Sequence, residues 1–331
     1  MVNCETPNLD FQVRVLVGPP MKVLITGACG FIGYNVAKFL SDKGEELVLV
    51  DRSERKERLN TLKYREYLNA NSLPQKLDNS TDISAVVHLG ASVNTGDADR
   101  RAIMENNFEY SKTLFDICAR KSIRFIYASS AATYGDGSKG FDDSRRDLEP
   151  LNYYAESKHK FDEYARDSKE KPPQWVGLKF FNVYGPHESH KGRMASTVSF
   201  CIEQAKKDGV IRLFRSHNLE YKDGGQARDF IYVKDVVSVI DFLLQKPDVS
   251  GVFNVGTGWA HTFLDLAHAV FTALGKKSQI EFIDTPEQFR VQYQYFTEAN
   301  MEHLRAVGYT KPFTTLEDGV REYASYLERN A

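Results

Sequence analysis

The sequence is poor in several features that would point away from an ordinary globular protein. It holds four cysteines in 331 residues, Cys4, Cys29, Cys118 and Cys201. They are far apart, form no metal-ligand spacing and suit a reducing compartment better than a disulfide framework. A cytoplasmic location and no metal are therefore expected. No apolar run approaches the ~18 residues of a membrane span. The net charge is only −2, which leaves no strongly basic surface for nucleic acid or an anionic membrane. There is no internal repeat and no low-complexity linker. The first twenty residues contain Glu5, Asp10 and Arg14, with no charged segment ahead of an apolar core, so no secretory signal is expected. Residues 1–20 read as an N-terminal extension that the fold does not need. What remains is common: 42% hydrophobic and 27% charged residues, in a chain long enough for one large or two medium domains.

The chain is organised around the stretch from Lys22 to Asp51. An apolar, β-branched run (Val23-Leu24-Ile25-Thr26) leads into Gly27-Ala28-Cys29-Gly30-Phe31-Ile32-Gly33. An apolar pattern at helical spacing follows, then a second buried-strand run ending in Asp51. Strand, glycine turn, helix, strand and acid is the order of a dinucleotide-binding unit. The first glycine allows the tight turn, the middle one lets backbone approach a pyrophosphate, and the last lets the helix pack on the sheet. The helix N-terminus then presents unpaired N–H groups and a positive dipole end to the phosphates. Asp51 lies 18 residues past Gly33, close to the ~20 expected for the acid that binds a ribose.

At least five strand–helix alternations run from Met21 to Pro186, which predicts a doubly wound parallel sheet. A charged segment after Asp51 reads as exposed loop and helix, and residues 101–121 as one long helix. Ala85 to Ala91 reads as a strand running into a small-residue turn, and His88 in it as a structural histidine. From His187 the texture changes. Strands are expected at 211–214, 228–233 and 252–256, and helices near 195–207, 234–244, 262–274, 298–307 and 316–327. The domain expectation is a dinucleotide-binding domain over 21–182 and 229–257, and a smaller α/β substrate domain over 183–228 and 258–331.

Tyr154 and Lys158 are four apart on a predicted helix and share a face. A tyrosine with a pKa near 10 is a poor base at neutral pH. A lysine ammonium beside it, and a nicotinamide cation, favour the phenolate. The pair could accept a hydroxyl proton as hydride leaves the same carbon, help worth ~10²–10⁴ in rate. Tyr34 also has a lysine four later, Lys38, but faces away after the glycine turn. Ser130, at the end of the strand before Tyr154, could hydrogen-bond the same alcohol. Arg228 could meet a pyrophosphate with a charge-assisted contact; its plain alternative is a strand-end arginine paired with a carboxylate.

These segments carry a resemblance. The glycine turn, Ser129-Ser130-Ala131-Ala132-Thr133-Tyr134-Gly135, the Tyr154/Lys158 pair, Phe181-Asn182-Val183-Tyr184-Gly185-Pro186 and Arg228-Asp229-Phe230-Ile231-Tyr232-Val233 resemble the extended short-chain dehydrogenase/reductases. Those enzymes act on nucleotide-sugars with NAD or NADP. Within that family the chain is most similar to the ADP-glycero-manno-heptose 6-epimerases. That likeness rests on Asn106-Asn107-Phe108-Glu109-Tyr110-Ser111-Lys112, His190-Lys191-Gly192-Arg193-Met194-Ala195-Ser196, Tyr293-Gln294-Tyr295-Phe296-Thr297 and Gly308-Tyr309-Thr310-Lys311-Pro312-Phe313.

The resemblance implies an isomerase of carbohydrate metabolism and lipopolysaccharide biosynthesis. It inverts carbon six of an ADP-heptose by transient oxidation; the alternative is a 4-epimerase, dehydratase or reductase on another nucleotide-sugar. Ser130, Tyr154 and Lys158 are then the catalytic trio and Lys191 the second acid/base, one group for each face of the carbonyl. The implied cofactor residues are Gly27, Cys29, Gly30, Phe31, Ile32, Gly33, Asp51, Arg52, Leu89, Ala91 and Asn107, with Tyr154 and Lys158. The implied substrate residues are Ser92, Ser130, Asn182, Arg193, Arg228 and Tyr293. Asp51 alone favours NAD, but Arg52, with Arg55, Lys56 and Arg58 nearby, can accommodate a 2′-phosphate. NADP is expected, with NAD as the alternative, and a homo-oligomer without nucleic-acid or membrane partners. The sequence departs from those epimerases in a longer Glu220–Gln226 loop, in Phe200-Cys201 where a histidine is expected, and in Ser92-Val93-Asn94-Thr95-Gly96 where serines and threonines are expected.

Overall fold

Apolar runs buried on both faces make parallel strands, and the chain alternates them with amphipathic helices. The computed structural model describes residues 20–52, 56–93, 99–290 and 294–330, the side chains of 288 and 289 excepted. The expected extension, but for its last residue, lies outside the described residues. In chain order the strands are β1 (Lys22–Thr26), β2 (Glu46–Asp51), β3 (Glu66–Asn69), β4 (Ala85–His88), β5 (Arg124–Ser130), β6 (Trp175–Phe180), β7 (Asn182–Tyr184), β8 (Ile211–Phe214), β9 (Ala227–Tyr232), β10 (Gly251–Val255), β11 (Ala260–Thr262) and β12 (Ile280–Ile283). The helices are α1 (Phe31–Lys43), α2 (Leu73–Asp78), α3 (Arg100–Ile103), α4 (Tyr110–Arg120), α5 (Tyr153–Asp167), α6 (Thr197–Lys207), α7 (Val233–Leu244), α8 (Phe263–Ala273), α9 (Glu287–Arg290), α10 (Glu302–Ala306) and α11 (Leu316–Arg329).

Seven strands form one parallel sheet in the order β10-β6-β5-β4-β1-β2-β3. Alternate side chains go to opposite faces. Val23 and Ile25 of β1 join a core with Tyr34, Val36 and Leu40 of α1 and Val236, Ile240 and Leu243 of α7. Leu24 joins the other face, where Phe115 of α4 and Phe161 of α5 pack against Phe125 of β5. This is the Rossmann-type doubly wound sheet expected. The strand order reverses between β1 and β4, and ligands of such sheets bind at the carboxyl ends beside that switch point. The smaller unit has its own core, built from α6, α8 and α11 around Tyr184, Tyr232 and Ile211. A three-stranded sheet, β11-β9-β7, bridges the units, and β12 pairs with β8. The strand expected at 228–233 is β9; it joins this smaller sheet rather than the seven-stranded one.

The described part of the charged segment after Asp51 forms a 3-10 helix over Lys56–Thr61, and beyond it lie two elements the sequence reading did not foresee, β3, the edge strand, and α2. Only Leu68 of β3 is buried, so the strand has almost no apolar signature. The helix expected over 101–121 is divided by a π-helical stretch, Met104–Glu109. Its Asn107 side chain turns inward to hydrogen-bond Ser92 and Ser157, and such bulges recur at functional sites. The helix expected over 298–307 shrinks to α10, because buried Asp229 accepts the Ala299 N–H at 3.0 Å and holds that stretch extended.

Candidate active site

The glycine turn leaves no room for side chains. Gly27 has φ +70, and a Cβ there would lie 2.7 Å from the Gly90 nitrogen. A Cβ on Gly33 would lie 2.0 Å from the Gly27 carbonyl oxygen, so α1 packs directly on the turn. Gly30 is the N-cap of α1 and brings no side-chain hydrogen bond to it. Asp51, at the end of β2, accepts the Cys29 N–H at 2.8 Å and ties the turn to the neighbouring strand. A cavity of about 570 Å³ opens here. Gly27, Cys29, Gly30, Phe31, Ile32, Gly33, Asp51, Arg52, Leu89, Ala91, Ser92 and Lys191 all line it. Arg52 is held at its rim by a hydrogen bond to Asn106 and by the Tyr110 ring, 5.4 Å from the guanidinium. Asn107 does not line the cavity; its amide clamps the Ser92 backbone from behind while Asn106 faces the space.

The next strand along, β5, and the helix α5 carry the residues expected to act as acid and base. Ser130 ends β5, and its hydroxyl accepts the Ala132 N–H at 3.1 Å. Asn152 caps α5 through the Ala155 N–H at 2.9 Å, which places Tyr154 in the first turn. Lys158 is buried, donates to the Ala128 carbonyl at 2.8 Å and sits 5.9 Å from the centre of the Tyr154 ring. Burial raises the Tyr154 phenol above its ordinary value; the Ser130 hydroxyl pulls it down and Asp162 pushes it up. Burial also lowers the Lys158 ammonium to about 8, against the opposing pull of Asp162. A buried lysine whose pKa is lowered toward neutrality and an adjacent phenol can exchange a proton with a bound alcohol.

Lys191 comes from a loop fastened on three sides. Asn35 of α1 donates to the Pro186 carbonyl at 3.0 Å, and Arg58 donates to the carbonyls of Cys29 at 2.8 Å and His187 at 2.9 Å. His187, at φ +74, packs on Tyr34 with ring centres 4.4 Å apart and on Tyr326 of α11. The Lys191 ammonium lies 5.1 Å from the centre of the Phe31 ring. Burial lowers its pKa, and Glu188 raises it. Glu188 is fully buried and accepts the N–H groups of Gly185 and Ser196 and the Ser196 hydroxyl.

The remaining expected residues spread over the smaller unit. Asn182 is exposed at the start of β7, with its amide oxygen 3.5 Å from the Thr297 hydroxyl. Arg193 is exposed. Arg228 donates to the carbonyls of Ala227 and Gln294 and lies over the Phe263 ring. Tyr293 and the 94–96 run lie outside the described residues. His88 is structural, as expected. Its ring is buried between the Thr26 hydroxyl at 2.7 Å and the Ser111 hydroxyl at 2.9 Å, and burial drives its pKa to about 3. Tyr34 points away from the acid/base group and meets Thr61.

Sequence reasoning missed Glu188, which carries no pattern, and the ion pair of Asp162 with Lys179. The pair had a signal: Lys179 sits inside the apolar run of β6, where an uncompensated ammonium is not tolerated. Among the described residues no cluster of three or more metal-ligating side chains is present, and no helix is long and apolar enough to cross a membrane.

Comparison with known proteins agrees with this fold. Residues 23–256 match the model of the NAD dependent epimerase/dehydratase family. The chain is 48% identical over 310 residues to an ADP-L-glycero-D-manno-heptose-6-epimerase of Nitratidesulfovibrio vulgaris, covering 91% of this chain and 96% of that one. It is 42% identical over 326 residues to the enzyme of the same name from Fusobacterium nucleatum, covering 93% and 98%. Among solved structures it is similar to Helicobacter pylori ADP-L-glycero-D-manno-heptose-6-epimerase, with a TM-score of 0.80 at 27% identity, covering 93% of this chain and 96% of that one.

Proposed function

The chain belongs to the NAD-dependent epimerase/dehydratase family, and on that footing we propose that it inverts carbon six of an ADP-heptose. The observation that carries this is the likeness of at least 42% identity, over nearly the whole of both chains, to two enzymes bearing that activity as their name. The glycine cradle, which a single Cβ would fill, fits a dinucleotide at the α1 N-terminus. A nicotinamide dinucleotide held there supplies the acceptor and then the donor of a hydride, and its ring charge favours the Tyr154 phenolate.

The protein's own groups handle the proton and the geometry. Tyr154 takes the proton of the carbon-six hydroxyl, and Ser130 hydrogen-bonds the same oxygen. Lys158 keeps the phenol near its working charge state. Carbon six of a seven-carbon sugar stands between two carbons, so the carbonyl formed is a ketone. Turning about the bond to the ring presents its other face to the same cofactor. Lys191, with an ammonium brought toward neutrality by burial, serves the oxygen in its second position. Asn182, Arg193 and Arg228 hold the nucleotide-sugar in the smaller unit, which acts as the substrate domain, and Tyr293 is assigned a further substrate contact from the sequence alone.

Within this reading the cofactor is NADP. Arg52 at the cavity rim beside Asp51 gives a cation suited to a 2′-phosphate. A cytoplasmic location is supported by three buried free cysteines, Cys29, Cys118 and Cys201; a homo-oligomer completes the reading. Turnover of ADP-heptose, set against UDP-galactose and UDP-glucose with purified protein, tests the substrate. Turnover of a UDP-sugar and none of ADP-heptose would replace the 6-epimerase with a 4-epimerase or dehydratase.

A further inference from the structure

Tyr154, Lys158 and Asp162 are successive members of one face of α5, each four residues on. Asp162 and Lys179 are both fully buried, and their charged atoms are 2.9 Å apart. Asp162 also accepts the Ser129 hydroxyl at 2.7 Å and the Tyr127 hydroxyl at 3.0 Å, both on β5. Lys179, on β6, donates to the Thr133 hydroxyl at 2.6 Å, and Thr133 donates to the Ser130 carbonyl at 2.8 Å. The pair therefore joins the three pieces of chain that carry the acid/base group: the end of β5, the turn after Ser130, and α5.

We infer that the Asp162–Lys179 pair is a positioning device for the Ser130, Tyr154 and Lys158 trio, fixing its geometry and, through the Asp162 carboxylate, the charge state of the phenol. This deepens the proposed function and rests on its assignment of the trio. A buried ion pair is weak evidence for stability, since taking two charges out of water costs as much as their attraction returns. Its placement beneath a proton-transfer site gives it another use. Asp162 acts on both Tyr154 and Lys158, and His88 faces Lys158; Lys179, His159, Tyr127 and Tyr134 stand around Asp162. Burial keeps His88 uncharged and pushes both phenols up; His159 is lowered by burial and by Lys179. Asp162 is thus the negative charge that faces Lys158, and Lys179 the positive charge that balances it.

The test is the titration of the Tyr154 phenol in NADP-loaded protein. It is read as tyrosinate absorbance after subtracting the same protein carrying Tyr154→Phe, and it needs no sugar. Asp162→Asn removes a negative charge near the phenolate and leaves Lys179 uncompensated, so the midpoint moves to lower pH. Asp162→Glu keeps the charge and returns the midpoint toward wild type, while turnover stays depressed by the altered reach. Where Asp162→Asn does not fold, the uncharged double variant Asp162→Asn with Lys179→Met leaves no lone buried charge. It is expected to lose ~10-fold or more in kcat with KM within a few-fold, as a trio displaced by a fraction of an ångström would. An unmoved midpoint in folded Asp162→Asn, or wild-type turnover in the double variant, overturns the inference. A shifted midpoint in a protein that ignores ADP-heptose would leave it standing and defeat the substrate assignment instead.

Discussion

The Lys191 ammonium and the buried Glu188 carboxylate lie 3.8 Å apart, at the hinge of the loop that brings Lys191 to the cofactor cavity. Glu188 closes that loop by binding Gly185 at one end and Ser196 at the other. An amide in its place has one accepting oxygen where the carboxylate has two. Glu188→Gln is expected to cost about 1–3 kcal/mol, the penalty of a buried donor left unmet. A lowered urea midpoint, together with at least ~10-fold slower epimerisation, is the expected result.

The fit of α1 on the glycine turn allows no methyl group at Gly33, 2.0 Å from the Gly27 oxygen. Gly33→Ala forces the helix away from the turn at an overpacking cost of about 1–3 kcal/mol. Cofactor affinity measured by calorimetric titration should fall ~10-fold or more with it, because the helix N-terminus no longer meets the phosphates.

Much of this site could be read in the sequence, for a physical reason. The glycine spacing, Asp51 and the Tyr154/Lys158 interval are local, and their meaning depends on neighbours a few residues away. What escaped was non-local. Asp162 reads as one more charged residue on an amphipathic helix until β6 brings Lys179 against it. Glu188 reads as a loop acid until the chain returns at Ser196. β3 escaped because an edge strand with one buried leucine has no period to detect, and the π-helical turn because it is made by the inward pull on Asn107.

His88 sets an acid limit on stability. Its pKa falls from 6.5 to about 3 on folding. Between those values the unfolded chain binds a proton that the folded protein refuses, so stability rises with pH across the window. That contribution is complete above 6.5 and is lost as pH falls toward about 3. Denaturant midpoints over this range should therefore drop steeply on acidification. His88→Asn, which has no such proton to take up, should flatten the drop; an unchanged slope would show that other groups govern it.

On the proposed reading, cofactor choice is decided by the charge beside Asp51. NADP⁺ is expected to bind more tightly than NAD⁺. Arg52→Ala should weaken NADP⁺ by roughly 10-fold, the scale of a lost charge-assisted contact, and leave NAD⁺ within about 2-fold, the scale of a screened surface charge. Tighter binding of NAD⁺ by the unaltered protein would reverse the assignment.

The most direct test is the fate of the carbon-six stereocentre itself. Purified protein with cofactor is given each of the two ADP-glycero-manno-heptose epimers in turn, and the epimer ratio is followed by NMR. Both starting points should converge on one mixture without net reduction of cofactor. Lys191→Met and Tyr154→Phe should each slow that convergence by ~10²-fold or more, with a combined loss well short of the product of the two. If neither epimer changes, carbon six is not the centre on which this site acts; if Lys191→Met converges at the unaltered rate, Lys191 is not the second acid/base.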